Sequence, residues 1–138
     1  MNKYLLFISH SGVDTWIARQ LSNAGQKVGA DTFLDEAEIA IGADFEADIL
    51  TALNRASELL VLVTPWALDR PYVWLEIGAA WSRQIPIIVV LHGLSATDFQ
   101  EKARIPVLLK KRNLIDINSV DRYFAELQAR VGCHVLPP

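Results

Sequence analysis

Short apolar runs alternate along the chain with longer stretches in which apolar residues recur at helical spacing. Runs of this length that contain β-branched residues are typical of strands buried on both faces of a sheet. They predict five strands, at residues 3–9, 28–34, 59–63, 86–91 and 114–117. Strands that alternate with helices indicate a mostly parallel sheet, because right-handed crossovers place helices on both of its faces. The expected fold class is therefore α/β, a three-layer sandwich around a five-stranded sheet.

The helices between these strands are predicted from apolar stripes at three- and four-residue spacing. The inward positions are expected to be Trp16, Ile17, Leu21 and Ala24 in the first helix, Phe45, Ile49, Leu53 and Ala56 in the second, and Val120, Phe124, Leu127 and Val131 in the last. Ser11 or Asp14 is available to cap the first helix, and Gly25 is a plausible stop for it.

The segment from Thr64 to Arg83 joins the third and fourth strands and is long enough for a crossover helix. Pro71 suits a first helical turn, where its missing N–H would have no intrahelical partner. At about 100° per residue, one side of this helix carries three large apolar residues. These are Trp74, Ile77 and Trp81, and we expect them to face the core.

The other side of the same helix carries Tyr72, Glu76 and Arg83, with the small residues Ala79 and Ala80 beside them. The small residues leave room next to the carboxylate. On spacing alone, Glu76 is interpreted as a solvated helix glutamate, since glutamate is usually exposed.

Composition limits the classes of function. The 138 residues suit one domain, and a hydrophobic fraction of 51% can fill its core. Gly132 is expected to end the last helix, which predicts a single domain over residues 1–132 and a tail over residues 133–138. The net charge of −3, without a basic stripe, argues against nucleic-acid binding. A single cysteine, Cys133, fits a reducing cytoplasm, and we expect neither a membrane span nor a signal peptide.

The common catalytic and nucleotide-binding motifs are missing. The sequence contains no G-x-G-x-x-G, no phosphate-binding G-x-x-x-x-G-K-[ST] and no G-x-S-x-G elbow. Its histidines, His10, His92 and His134, are scattered, so we expect no metal site. In open parallel sheets, ligands bind outside the carboxyl ends of the strands. The segments expected there, residues 9–14, 35–43, 64–72 and 92 onward, hold much of the unusual polar chemistry of the chain.

Four blocks of sequence resemble one family, the bacterial Toll/interleukin receptor (TIR) domains of the NAD-cleaving type, over nearly the whole chain. The blocks are Phe7–Ser11 followed by Asp14, Phe33–Glu36 through Gly42, Ala52–Ser57 before the third strand, and Thr64–Pro65 through Pro71–Glu76. The last block is the most specific, because its prolines, its glutamate and their spacing all fit without a gap. The chain departs from the family at Tyr72, where Trp is usual, at Ile41, where Arg or Pro is common, and at His10, which replaces a frequent aromatic residue.

The resemblance implies a flavodoxin-like TIR fold and an activity. Many such domains cleave NAD⁺ between nicotinamide and ribose, as a glycohydrolase or as a cyclase that makes a cyclic ADP-ribose. Glu76 would be the catalytic carboxylate, and the substrate-binding residues would be Ser9, His10, Asp35, Gly42 and Tyr72. NAD⁺ is then a substrate, and no cofactor or metal is needed because nicotinamide is already a cationic leaving group. Without the resemblance, Tyr72 is an ordinary surface aromatic residue, Asp35 a turn residue and Gly42 a loop hinge.

The resemblance also implies partners. TIR enzymes tend to associate through the BB loop, which corresponds here to the acidic loop after the second strand, residues 35–43. Ile39 and Ile41 are apolar residues in this loop, which suggests a partner surface. A signalling nucleotide read by a separate effector, in antiphage immunity, is the expected setting. Two alternatives stay open: a non-catalytic TIR interaction module, and a nucleoside deoxyribosyltransferase-like enzyme.

Overall fold

Five parallel strands form the centre of the molecule, in the spatial order β2-β1-β3-β4-β5. The computed structural model describes residues 4–34, 45–67, 70–101 and 114–135. The strands are β1 (Leu5–Ser9), β2 (Asp31–Leu34), β3 (Glu58–Val63), β4 (Ile87–Leu91) and β5 (Leu114–Asp116). Every neighbouring pair is parallel. The prediction of a five-stranded α/β fold is confirmed, and the sheet is parallel throughout.

Helices cover both faces of the sheet. They are α1 (Thr15–Lys27), α2 (Phe45–Arg55), α3 (Pro71–Ser82), α4 (Ala96–Glu101) and α5 (Val120–Val135), with short 3₁₀ turns at Gly12–Asp14 and Ile117–Ser119. One core packs α2, α3 and α4 against the strand residues Phe7, Leu59, Val61, Val63 and Val89. The other packs α1 and α5 against Leu6, Ile8, Leu60, Leu62 and Val90. Side chains of a strand alternate between faces, so the uninterrupted apolar runs fill both cores.

The two glycines predicted to end helices do not end them. Helix α1 continues to Lys27, and a β-carbon added to Gly25 would lie 3.2–3.3 Å from Thr32 and Leu6. Gly25 therefore permits close packing of α1 on the sheet, and Gly29, with φ 100°, makes the turn after the helix. Because of this turn, β2 begins at Asp31 and not at the predicted residue 28. Helix α5 likewise passes through Gly132 to Val135, so residues 133–135, which include Cys133, are helical.

The inward faces of two helices differ from the predicted ones. Trp16 is 70% exposed and Trp81 is 56% exposed, although both were expected in the core. Of the stripe predicted for α3, Ile77 is buried and Trp74 is half-buried against the core. The buried face consists of Val73, Glu76, Ile77 and Ala80. This face has the same helical periodicity but is rotated relative to the predicted one, and its smaller apolar residues lie against the sheet. As a result, Glu76 lies inside the protein.

A buried carboxylate also lies at the opposite end of the sheet, where β3 begins. Glu58 is buried and accepts hydrogen bonds from the hydroxyls of Tyr4 and Tyr123 and from Arg130, whose Nε and Nη2 lie 3.0 and 3.2 Å from its oxygens. Burial raises the pKa of Tyr4 to about 12, and the hydrogen bond to Glu58 acts in the same direction. Burial and the charge of Glu58 also raise the pKa of Tyr123. This cluster joins β1, β3 and α5.

No helix in the ranges described is long and apolar enough to cross a membrane.

We expect Tyr123→Phe to lower the free energy of unfolding by about 1–3 kcal/mol, because it removes a buried donor to a carboxylate. Urea unfolding at pH 7 measures this loss. Both tyrosines have raised folded-state pKa values, so their contribution is complete below about pH 10 and is lost as the pH rises through about 12, the pKa of Tyr4. Stability of the wild type should therefore fall above pH 10, and less steeply in the variant. Equal unfolding midpoints for the two proteins at pH 7 would contradict the assignment.

Candidate active site

The carboxyl ends of β1 and β3 form a switch point in the sheet. From β1 the chain passes through α1 to β2 on one side, whereas β3 leads through α3 to β4 on the other side. Divergence of the two connections opens a crevice at this edge of a parallel sheet, and such crevices bind ligands. Ser9 is the last residue of β1, and Thr64 directly follows β3. The polar side chains of this edge therefore surround the place where a ligand is expected.

Ser9 and Glu76 form a buried hydrogen bond at the switch point. The Ser9 hydroxyl donates to Glu76 Oε1 at 2.5 Å, and both side chains are 0% exposed. Helix α3 brings Glu76 there because its inward face carries the carboxylate between Val73 and Ala80. Burying a carboxylate is costly unless hydrogen bonds compensate for lost water. An ionisable group kept at that cost, at a ligand-binding edge, is a candidate for chemistry.

His10 follows Ser9 and is also buried. Its Nδ1 lies 2.8 Å from the carbonyl oxygen of Ser11. A carbonyl oxygen can only accept, so Nδ1 carries a proton in this hydrogen bond. The bond fixes the orientation of the imidazole ring next to Ser9 at the switch point.

A second buried pair ties together the loops that follow β1 and β3. The Thr64 hydroxyl donates to Asp14 Oδ2 at 2.6 Å, and the N–H of Ala67 donates to Thr64 Oγ1 at 3.1 Å. Ser11 and Asp14 occupy the N-cap positions of the 3₁₀ turn and of α1, but neither side chain makes a capping hydrogen bond. Asp14 therefore occupies the expected N-cap position of α1 without capping the helix through its side chain, and Ser11 precedes the 3₁₀ turn instead. The Asp14 carboxylate serves a contact between loops.

Arg70 connects the start of α3 to the same region. It is the N-cap residue of α3, and its guanidinium donates to the carbonyl oxygen of His10. The guanidinium carbon lies 5.9 Å from the ring centre of Tyr72, within the range of a cation–π contact. Tyr72 is half-buried and packs against the core one turn before Glu76.

Four of the six site residues predicted from the sequence lie on the elements that meet at this edge. They are Ser9, His10, Tyr72 and Glu76. Ser9 and Glu76 are in direct contact. Asp35 and Gly42 lie outside the described residues, as do the BB-loop residues Ile39 and Ile41.

Sequence reasoning gave no site role to Asp14, Thr64 or Arg70. Thr64 and Asp14 are 50 residues apart, so their contact becomes visible only once β1 and β3 are adjacent. The interpretation of Glu76 as a solvated residue is wrong. Among the residues that the structure describes, no group of three or more histidine, cysteine or acidic side chains could hold a metal ion.

A cavity of about 650 Å³ elsewhere is a rival site, and it lies between β4, β5 and α5. Its lining includes Tyr123 and Arg130, which are committed to Glu58. None of the polar residues of the switch point lines it. Its volume is large enough for a ligand, but the buried carboxylate and the loop contacts favour the switch point.

Comparison with known proteins identifies one family and many solved structures that share its fold. The family model described as "TIR domain" matches residues 6–130. No curated protein matches the chain. Among solved structures, the TIR domain of the Toll-related receptor TRR-2 from Hydra magnipapillata is similar, with 18% identity and a TM-score of 0.66, over 91% of this chain and 94% of that one.

Two further structures have a similar fold. The TIR domains of the activated Roq1 resistosome, which directly recognises the pathogen effector XopQ, share 15% identity at a TM-score of 0.66, over 97% of this chain and 100% of that one. A metazoan TIR-STING receptor from C. gigas, in complex with 2′,3′-cGAMP, shares 17% identity at a TM-score of 0.65. That match covers 91% of this chain and 38% of the receptor. At these identities, the similarity establishes the fold.

We expect Thr64→Val to lower the free energy of unfolding by about 1–3 kcal/mol, because the isosteric change leaves Asp14 and the Ala67 N–H without their hydroxyl partner. Thr64→Ser keeps the hydroxyl and is the matched control. Chemical denaturation of the three proteins measures the difference. Equal stability of the Val and Ser variants would show that the Thr64–Asp14 contact contributes nothing to the fold.

Proposed function

This chain belongs to the TIR domain family, and on that premise we propose that it is an enzyme that cleaves NAD⁺ between nicotinamide and ribose. The observation that carries the proposal is the fully buried Glu76, hydrogen-bonded by Ser9 at the switch point of the sheet. Burying a carboxylate costs stability, and a protein that only binds partners through its surface gains nothing from a carboxylate in this position.

The chemistry of the bond suits this site. When the N-glycosidic bond breaks, its electron pair leaves with the positively charged nicotinamide nitrogen, and oxocarbenium character develops on the ribose. A carboxylate facing the ribose stabilises that charge in the transition state. Glu76 takes this role, and the hydroxyl of Ser9 holds one of its oxygens in place. Water then adds to give ADP-ribose and a proton. Alternatively, a nitrogen of the adenine adds to give a cyclic isomer, or a hydroxyl of the dinucleotide adds and releases its proton.

The wider setting is part of the same proposal. The product is a signalling nucleotide that a separate effector reads, in the cytoplasm of a bacterium under phage attack. NAD⁺ is consumed as a substrate, with no metal or other cofactor. Assembly of several copies through the BB loop, with Ile39 and Ile41, completes the site. The TIR domains of the activated Roq1 resistosome have a similar fold, which supports assembly as a mode of action for this fold.

An interaction module without catalysis is the second candidate, and exposed apolar residues favour it. Three large apolar side chains are exposed: Val13 in the 3₁₀ turn, Trp16 at the start of α1 and Trp66 after β3. Exposed apolar groups in one region suggest a partner surface. A deoxyribosyltransferase-like enzyme, the third possibility, has no support from the family match.

Glu76→Gln keeps the shape of the side chain and removes the charge that faces the oxocarbenium. We expect a loss of at least about a hundredfold in kcat for NAD⁺ cleavage, as for other electrostatic groups of this kind. Chromatography of nicotinamide, ADP-ribose and cyclic products from purified protein measures it. Glu126→Gln, the same change at an exposed position on α5, is the matched control and should have wild-type activity.

Two outcomes would contradict this assignment in different ways. A wild type without NAD⁺ turnover, alone and at high concentration, would favour the interaction module. An active Glu76→Gln variant would show that another group is catalytic.

Substitutions at Tyr72 distinguish the contribution of its ring from that of its hydroxyl. Tyr72→Phe keeps the ring and should change kcat/KM little, and Tyr72→Trp, which restores the family residue, should be tolerated. Tyr72→Ala removes the ring, so we expect a raised KM and more entry of water. Water competes with the internal nucleophile, so the ratio of cyclic product to ADP-ribose should fall. An Ala variant with wild-type kinetics and product ratio would make Tyr72 a surface residue.

A further inference from the structure

We propose that Arg70 is a positioning residue of this site, which holds the turn after Ser9 to the start of the helix that carries Glu76. The inference rests on the proposed function. Arg70 is not one of the four site residues that were predicted from the sequence and lie at this edge. Arg70 contacts two of them. Its guanidinium donates to the carbonyl oxygen of His10, and it lies over the ring of Tyr72.

The contact to His10 closes a ring of hydrogen bonds. From His10 the peptide chain leads to Asp14, whose carboxylate accepts from the Thr64 hydroxyl. Thr64 Oγ1 accepts from the N–H of Ala67, and the carbonyl of Ala67 accepts from the N–H of Arg70. The guanidinium then returns to the carbonyl of His10. The loops after β1 and β3 are therefore joined at two places, once by Thr64 and once by Arg70.

This ring lies directly beside the proposed reacting group. Ser9 precedes His10 in the chain, so a shift of the His10 carbonyl moves the hydroxyl that holds Glu76. Arg70 is also one residue before Pro71, the first residue of α3, so the same contact fixes the start of the helix. Displacements of about 1 Å in a catalytic group can cost about a hundredfold in rate. Loss of the Arg70 contact should therefore lower turnover without removing any group that binds substrate.

The roles of the guanidinium predict a graded series. A planar guanidinium donates to a carbonyl in its own plane and stacks on an aromatic ring through its face, whereas an ammonium cannot do both with the same geometry. We expect Arg70→Gln to lower kcat roughly ten- to a hundredfold, with KM within about twofold of the wild type. Arg70→Lys keeps the cation over Tyr72 and should recover part of the loss.

The matched control is Arg83→Gln, the same substitution at an exposed position just after α3. It should leave kcat and KM unchanged. Thermal unfolding of each variant and hydrogen exchange of residues 9–14 accompany the kinetics. In the Arg70→Gln variant the amides of that turn should exchange faster than in wild type and in the Arg83→Gln variant, while the melting temperature stays above the assay temperature.

Three results would overturn the inference. A raised KM with unchanged kcat would make Arg70 a substrate-binding residue. Full kcat in a folded but destabilised Arg70→Gln variant would give it a structural role only. If the wild type does not turn over NAD⁺, the proposed function fails by itself. Hydrogen exchange then decides whether Arg70 holds the turn, and an unchanged rate for residues 9–14 would show that it does not.

Discussion

The hydrogen bond between Ser9 and Glu76 sets the requirements for the surrounding structure. For it to form, β1 must end at Ser9 and α3 must turn a carboxylate toward the sheet, and both conditions are met at the switch point. The rest of the buried face of α3 is apolar, so core contacts anchor the helix while Glu76 places one carboxylate at the edge of the sheet. The fold thus holds an acidic group rigidly at the edge where ligands bind.

The two ends of the sheet use buried carboxylates differently. Glu58 accepts from two phenols and from the fork of Arg130, a set of donors that holds a carboxylate in one place and gives it no role toward solvent. Glu76 is held by the small hydroxyl of Ser9 at the carboxyl end of the strands. The carboxylate at the amino end of the strands therefore contributes to stability, whereas the one at the carboxyl end is the candidate catalytic group.

The fold could be predicted from the sequence because continuous apolar runs identify parallel strands with little ambiguity. The inward face of α3 could not, and the reason is physical. Glu76 is the only charged residue among residues 71–82, so the helix is apolar nearly all round and its periodicity does not fix which side is buried. Expecting tryptophan inside and glutamate outside then gave the wrong rotation. Periodicity had placed Glu76 in solvent, whereas the resemblance to TIR domains implied a role for it in the site, and the structure shows the residue buried.

The contacts of Arg70 show how a local rule can produce a non-local result. Proline disfavours a helical conformation in the residue before it, and Arg70, before Pro71, is extended at φ −95° and ψ 115°. An extended residue at this position directs its side chain away from the helix, here to the loop after β1, whereas Tyr72 two residues later already belongs to the first turn. The order Arg-Pro-Tyr thus encodes both the start of α3 and its attachment to β1. What the local rule does not reveal is the acceptor, because the carbonyl of His10 is 60 residues away and comes into reach only when β1 and β3 pair.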